Sequence, residues 1–584
     1  MNWIQETDPF NNTALSALAA AIPVFFIFWA LIIKKIKGYL ASLFTVSIAV
    51  LIAIIIYRMP VKLALLSSVH GAMYGFFPIC WIIIAAVFLY NITVKSGQFE
   101  IIKNFMASVT SDRRLQALLI AFSFGSFLEG TAGFGTPVAI TAAMMVGLGF
   151  NPLYAAGICL IANTAPVAFG GIGIPITVAA QVSGIPEMAI SQMVGRTLPL
   201  LSLFVPFYLV FLMSGFKRSV EVFPAILVSG LSFAFFQWFS SNYMGPMLPD
   251  IIASLASIIG LMILLKFWKP KSIWRFKDEP APTLNTDIKY STQQIIKAWS
   301  PFIILTIMVI AWGLQPVKDT LNYIGFLKFD IPGLHNVIMS SEGNSLLPQT
   351  FKLNYLSASG TAIIISAIIS IPVFGMRFSD ALKLFISTLN QLKFPIITIT
   401  SILGFAYITN NSGMSISMAK ALANTGILFP FFAPLLGWLG VFITGSDTSS
   451  NALFSKLQSS TASSLGVDPV VTVAANATGG VCGKMISPQS IAIGAASVGL
   501  VGKESDLFRF TAKHSIIMLS LICLLTLLQA YFIKWIIPVY QMQDVKAAAV
   551  VPNVTQGYAF LLILAAVLIS FISVLIFSQR KKSL

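Results

Sequence analysis

Three ionisable side chains stand in runs that are otherwise apolar or small. Glu129 lies in FLEGTAGFGTPVAI (127–140), Asp447 in TGSDTSSNALF (444–454) and Lys484 in ANATGGVCGKMISP (475–488). If these runs cross a bilayer, a charge at its centre costs about 2.5–3.5 kcal/mol, so each group must face the bundle interior and find a partner. Glu129 has Phe127, Leu128 and Phe134 as neighbours. Desolvation there favours the uncharged form and suits the carboxyl to carry a proton. Asp447 is set among Ser446, Thr448, Ser449 and Ser450, whose hydroxyls stabilise an ionised carboxylate. Lys484 can neutralise an anionic substrate or pair with Asp447, and spacing does not choose between them. His70 falls within an apolar segment and can relay protons or serve as a hydrogen-bonded packing residue.

The backbone around these groups is expected to be broken. A fourth run, ANTAPVAFGGIGIP (162–175), completes two pairs rich in Gly, Pro, Ser, Thr and Asn. Glycine permits a sharp turn, proline opens a helix, and the small polar side chains satisfy freed backbone groups. Non-helical backbone is tolerated at membrane depth only where it is buried in protein or lines a wet cavity. Paired half-helix N-termini then present partial positive charge to one spot, which suits a carboxylate. Tight helix packing alone would need only small residues, not Asn, Asp and Glu. The expected substrate-binding set is Asn163, Thr164, Asp447, Thr448, Asn476 and Lys484, with Glu129 and His70 for proton coupling and no metal site.

The elements that must position these residues follow from composition. Of 584 residues 57% are hydrophobic and 10% charged, and mean hydropathy is +0.88. An average soluble domain carries roughly 25% charged residues, and no aqueous core absorbs so much apolar surface. Apolar runs recur at about the 20 residues a spanning helix needs, which predicts an all-α polytopic membrane protein rather than a barrel. Segments fall at 13–33, 38–57, 66–94, 153–180, 188–214, 219–240, 250–266, 298–314, 356–375, 394–411, 469–502, 514–537 and 559–577. They give about 13 transmembrane helices, with 115–148 and 428–462 as two re-entrant hairpins.

The net charge of +16 does not point to nucleic acid, because the basic residues cluster in short loops. With both hairpins re-entrant, loops 34–37, 95–114, 217–218, 266–297, 377–393 and 503–513 and the tail 580–582 all fall on the cytoplasmic side. The N-terminus is then outside and the C-terminus inside; Arg58 and Lys62 are the exceptions. No Lys or Arg precedes the first apolar run, unlike a cleavable signal peptide.

A repeat organises the chain. Phe77, Pro78, Ile79, Ile82, Phe88 and Tyr90 reappear as Phe394, Pro395, Ile396, Ile399, Phe405 and Tyr407. Gly125, Phe127 and Gly130 align with Gly440, Phe442 and Gly445, and Ala162-Asn163, Gly170 and Pro175 with Ala475-Asn476, Gly483 and Pro488. The predicted topology inserts the two copies from opposite faces, as in secondary transporters. The expected divisions are N-terminal helices 1–60 and a first inverted repeat 61–182, with hairpin 115–148 and broken helix 153–180. Intervening helices 183–377 follow, with a cytoplasmic loop 267–297 and an external loop 315–353. The second inverted repeat is 378–502, with hairpin 428–462 and broken helix 469–502, and C-terminal helices occupy 503–584.

Across 81–531 the sequence resembles the bacterial L-lactate permease family, within a wider ion-transporter group that includes dicarboxylate carriers. The resemblance rests on WIIIAAVFLY (81–90), FLEGTAGFG (127–135), NTAPVAFG (163–170), LGWLGVFITGSDTSSNALF (436–454), GKMISPQSIAI (483–493) and GLVGKESDLFRFTAKHS (499–515). It implies uptake of L-lactate, often with D-lactate and glycolate, together with protons across a bacterial inner membrane. The implied partners are a small monocarboxylate, protons and membrane lipid. A sodium-coupled small di- or monocarboxylate carrier is the alternative, although one tip reads Asn163-Thr164 and the other Asn476-Ala477. A membrane enzyme lacks ligands: three histidines are unpaired, and Cys80, Cys159, Cys482 and Cys523 form no cluster. No cofactor is expected beyond the proton gradient.

Overall fold

The computed structural model describes residues 2–541, apart from 35, 134, 277–289, 314, 341–345 and 502. The expected last span, 559–577, and much of the loop 267–297 lie outside the described residues.

Among the described residues, ten helices are long and apolar enough to cross a membrane, or eleven if a bent pair counts as one span. Of the thirteen expected segments, 559–577 is outside this count, and several others differ in form. The segment expected at 394–411 is the end of one 35-residue helix, Phe378–Ser412. Its first turns carry exposed Lys383 and Lys393 over buried Ala381 and Leu392, so basic residues that resemble a loop lie on a helix face. The segment 356–375 is a helix of 15 residues, Ser359–Val373, and 469–502 divides into Pro469–Lys484 and Pro488–Ser497. Conversely, Gly426–Thr444, the first arm of the second expected hairpin, is itself apolar enough to span. Leu65, Val69, Ile307 and Leu524 are exposed on helix flanks, the surface that lipid covers.

Two series of elements follow the same order. Val61–Lys95 and Phe378–Ser412 are both 35-residue runs; Glu187–Ser214 and Glu504–Tyr531 are both 28 residues long. Their starts are separated by the same 317 positions (378 less 61, and 504 less 187). Between them each series holds a short helix (Gln98–Ser108; Met414–Ala423), two antiparallel arms and a broken helix. Asn151 caps Pro152–Ala162 and Asp468 caps Pro469–Lys484, each ahead of a proline at the first helical position.

The first pair of arms runs from Arg113 to Thr131 and returns as Thr136–Gly147; the second is Phe429–Thr444 and Asp447–Ser464. Arg114 fixes the base of the first: it is fully buried, donates to both Asp112 oxygens at 3.1 and 2.8 Å, and reaches Glu221 at 2.8 Å. The second pair packs backbone to backbone on Pro469–Lys484. A Cβ at Gly479 would meet the Pro434 backbone, and one at Gly483 the Trp438 carbonyl, so only glycine allows the approach.

The described residues of 315–353 are structured. It opens with the helix Gln315–Gly325, and Leu327–Asp330 pairs antiparallel with Thr350–Leu353. Ile338–Met339 pairs in parallel with Trp3–Ile4.

Candidate functional site

Four interruptions of the helical backbone meet at one cavity of about 60 Å³. Glu129, Gly133 and Gly135 come from the first turn between arms, and Ser446, Asp447 and Thr448 from the second. Gly170 and Gly171 come from the first broken helix; Lys484, Gln489 and Ser490 flank the break in the second.

The local sequence explains the breaks. Pro152–Ala162 and Val167–Ser183 are bent by 64°. Just past the bend Gly171, Ile172 and Gly173 all have positive φ (54°, 61° and 74°). A β-branched residue there is strained, and fully buried Ile172 is held by its surroundings. In the second broken helix, Ser487 caps Pro488–Ser497 by accepting from the Ser490 amide at 3.2 Å. Ser446 likewise caps Asp447–Ser464 through the Ser449 amide at 3.3 Å. The helices Thr136–Gly147, Asp447–Ser464 and Pro488–Ser497 begin at this cavity, and the helical part of the first broken helix resumes there after Gly173. Four positive helix ends therefore face one space, with Lys484 at its wall. That is a site for an anion.

Two carboxyls share it. Glu129 is 3% exposed, and its Oε2 has no hydrogen-bond partner. It rests on the broken helix so closely that a Cβ at Gly170 would lie 2.6 Å from Oε1. Asp447, also 3% exposed, rests in the same way on Gly480. Its Oδ2 accepts from Asn451 Nδ2 at 3.3 Å, while Oδ1 has no partner. Lys484 is buried and within electrostatic reach of Asp447 without hydrogen-bonding to it.

The remaining residues predicted from sequence divide. Thr448 lines the cavity. Asn476 stands behind it in a hydrogen-bonded network: its Nδ2 donates to Asn451 Oδ1 at 2.8 Å, and its Oδ1 accepts from Gln458 Nε2 at 3.3 Å. Asn163 is buried with neither Oδ1 nor Nδ2 partnered. Thr164 turns back on its own helix, donating to the Ile161 carbonyl at 2.7 Å. His70 lies elsewhere. It bonds Gln349 Oε1 at 3.0 Å and the Thr350 carbonyl at 3.2 Å, and lines a separate cavity of about 1270 Å³ with Tyr74, Gln181 and Tyr407. Sequence reasoning missed Asp250, which is 1% exposed with neither oxygen partnered and packs against Gly130. An acid just after a proline at the head of an apolar run reads as an ordinary helix start. Gln489 and Ser490 were in view only as part of a motif. Among the described residues, no three of His, Cys, Asp and Glu group to hold a metal.

A sequence profile of the L-lactate permease family matches residues 16–533. The chain belongs to that family. The match extends well beyond 81–531 at its N-terminal end and takes in the 315–353 region. The L-lactate permease of Bacillus subtilis (strain 168) is 55% identical over 564 residues, covering 92% of this chain and 100% of that one. The glycolate permease GlcA of Escherichia coli (strain K12) is 51% identical over 551 residues, covering 91% and 98%. The YdaH transporter of Alcanivorax borkumensis overlaps 80% of this chain and 88% of its own at 13% identity and a TM-score of 0.43. That overlap is too loose to place any residue. With its ten or eleven apolar spans, this member of the permease family is a multi-pass membrane protein.

Proposed function

We propose that the chain imports L-lactate, and with it D-lactate and glycolate, together with protons across a bacterial inner membrane. The N-terminus is outside and the C-terminus cytoplasmic. The observation that carries this reading is the convergence of four helix N-termini and Lys484 on a cavity that also holds Glu129 and Asp447. Relatives named L-lactate permease and glycolate permease supply the substrate class.

The substrate carboxylate lies against Lys484 and the helix ends that start at Ser446, Gln489 and Gly135. The hydroxyls of Thr448, Ser446 and Ser490 are placed for the 2-hydroxyl that lactate and glycolate share. Importing one such anion against an interior-negative potential is uphill by about 2.3 kcal/mol per 100 mV. A proton moved with it cancels the charge. Glu129 is the carrier in this scheme, because it lacks the support that Asp447 draws from Asn451 and Lys484; Asp447 orients the site. His70 sits away from the cavity, so any share it has in proton traffic runs through the larger cavity.

The two matched series are read as an inverted repeat, with 115–148 and 428–462 as re-entrant hairpins whose tips meet near the midplane. Alternating access then moves one set of tips and breaks against the other. No cofactor is required, since the gradient drives the step.

The test is radiolabelled lactate uptake into proteoliposomes under an imposed pH gradient, with and without sodium. Accumulation that follows the pH gradient in sodium-free buffer supports the reading. Accumulation that requires sodium replaces it with the sodium-coupled alternative.

A further inference from the structure

Asp250 is the second residue of the helix Pro249–Phe267 and does not line the cavity. Its carboxyl is 1% exposed and bonded to nothing at either oxygen. It sits directly behind Glu129: a Cβ at Gly130 would lie 2.6 Å from the Cβ of Asp250, so the aspartate presses on the backbone next to the glutamate. The two carboxyls are within electrostatic reach of each other, and Glu129 also reaches Asp447 across the cavity. The loop that leads into Asp250 is tied to the same place, because Pro246 packs on Gly173 in the left-handed stretch of the first broken helix. The helices packed on Pro249–Phe267 are Phe223–Tyr243, Ala117–Phe124 and Gly125–Thr131. They carry no titratable groups besides Glu129 and an exposed Tyr243.

An ionised carboxylate buried without a donor is strongly disfavoured, and two of them within electrostatic reach more so. A protonated carboxyl has the opposite need, an acceptor for its O–H. One proton shared by two neighbouring carboxyls meets both needs. Position sets the direction: Glu129 lines the cavity, and Asp250 stands behind it.

We propose that Asp250 is the second half of the proton site: Asp250 and Glu129 hold one proton between them, and Asp250 reloads Glu129 after Glu129 releases its proton to the cavity. The proton arrives from the 244–249 loop, moves to Glu129 and leaves Asp250 ionised for the next. The proposal rests on the proton-coupled reading above and adds the path by which the proton reaches Glu129.

The experiment compares wild type, Asp250→Asn and Asp250→Glu, each full length in sodium-free proteoliposomes. Lactate counterflow reports binding and the conformational cycle; uphill uptake under a pH gradient reports coupling. Asp250→Asn is expected to keep counterflow and lose accumulation, and Asp250→Glu to recover accumulation. Normal accumulation by Asp250→Asn overturns the shared proton while leaving the Glu129 reading intact. If Asp250→Asn loses counterflow too, Asp250→Thr is added. Recovery of both readouts in Asp250→Glu alone supports the pair, and any other pattern overturns it. Failure of the proton-coupled reading itself is seen separately, as wild type that needs sodium to accumulate lactate.

Discussion

Asn163 and Asn476 occupy matching positions in the two broken helices, yet their surroundings differ in kind. Asn476 is bonded through both ends of its amide, to Asn451 and Gln458, and Asn451 in turn holds Asp447 and the Pro175 carbonyl. Asn163 has no partner at either end, and the acids near its hairpin, Glu129 and Asp250, have free oxygens. The second half ties its asparagine into a hydrogen-bonded network beside Lys484, although Asp447 Oδ1 and Gln458 Oε1 are left without partners. The first is a set of buried polar atoms with needs unmet by the protein. Unsatisfied buried groups cost about 1–3 kcal/mol each, so the free amide and acids of the first half, together with Asp447 Oδ1, mark where a proton, water or substrate is to be held. In the proposed scheme the two matched series divide the work: orientation and charge in one, proton handling in the other.

The comparison can be broken most severely at the two cavity acids. Asp447→Asn is expected to lose counterflow and uphill uptake together, because it removes the charge that the second-half network positions. Glu129→Gln, which resembles the protonated state, should keep counterflow and lose only accumulation under a pH gradient. Equal effects of the two substitutions on both assays would erase the division. Lys484→Met should weaken lactate binding by at least about 2 kcal/mol, roughly 30-fold in Kd, measured by titration calorimetry or scintillation proximity. A variant with unchanged affinity removes Lys484 from the substrate and leaves it as a partner for Asp447.

Smaller effects sharpen the contrast between the asparagines. Asn476→Ala strands Asn451 Oδ1 and takes one acceptor from Gln458, and should lower stability by about 1–3 kcal/mol. Asn163→Ala removes no hydrogen bond and is expected to shift the thermal midpoint of the detergent-solubilised protein less than Asn476→Ala does. The reverse order would mean that the free amide of Asn163 is held by a bound water or ion that stabilises the first half.

Much of this was legible in the residues. Hydropathy alone determines a polytopic helical bundle, since so apolar a chain has no other way to bury its backbone. The Gly, Pro and Asn runs locate all four breaks, because proline removes a donor and only glycine tolerates the turns at 133, 135 and 445. Glu129, Asp447, Thr448 and Lys484 stand out as polar groups in apolar company, and all four line the cavity. Tertiary structure alone decided the rest. Helix boundaries near Lys383 and Lys393 depend on which face meets a neighbour, and a one-dimensional charge count cannot see a face. For His70 the sequence left a relay and a packing role open, and only the tertiary structure supplied its partners Gln349 and Thr350. Asn163 and Asn476 are alike in sequence and separate only when their partners, 18 and 25 residues distant along the chain or missing altogether, are known. Asp250 was invisible for the same reason. Its meaning comes from Gly130, 120 positions away (250 less 130), whose missing side chain lets a buried acid come to rest behind Glu129.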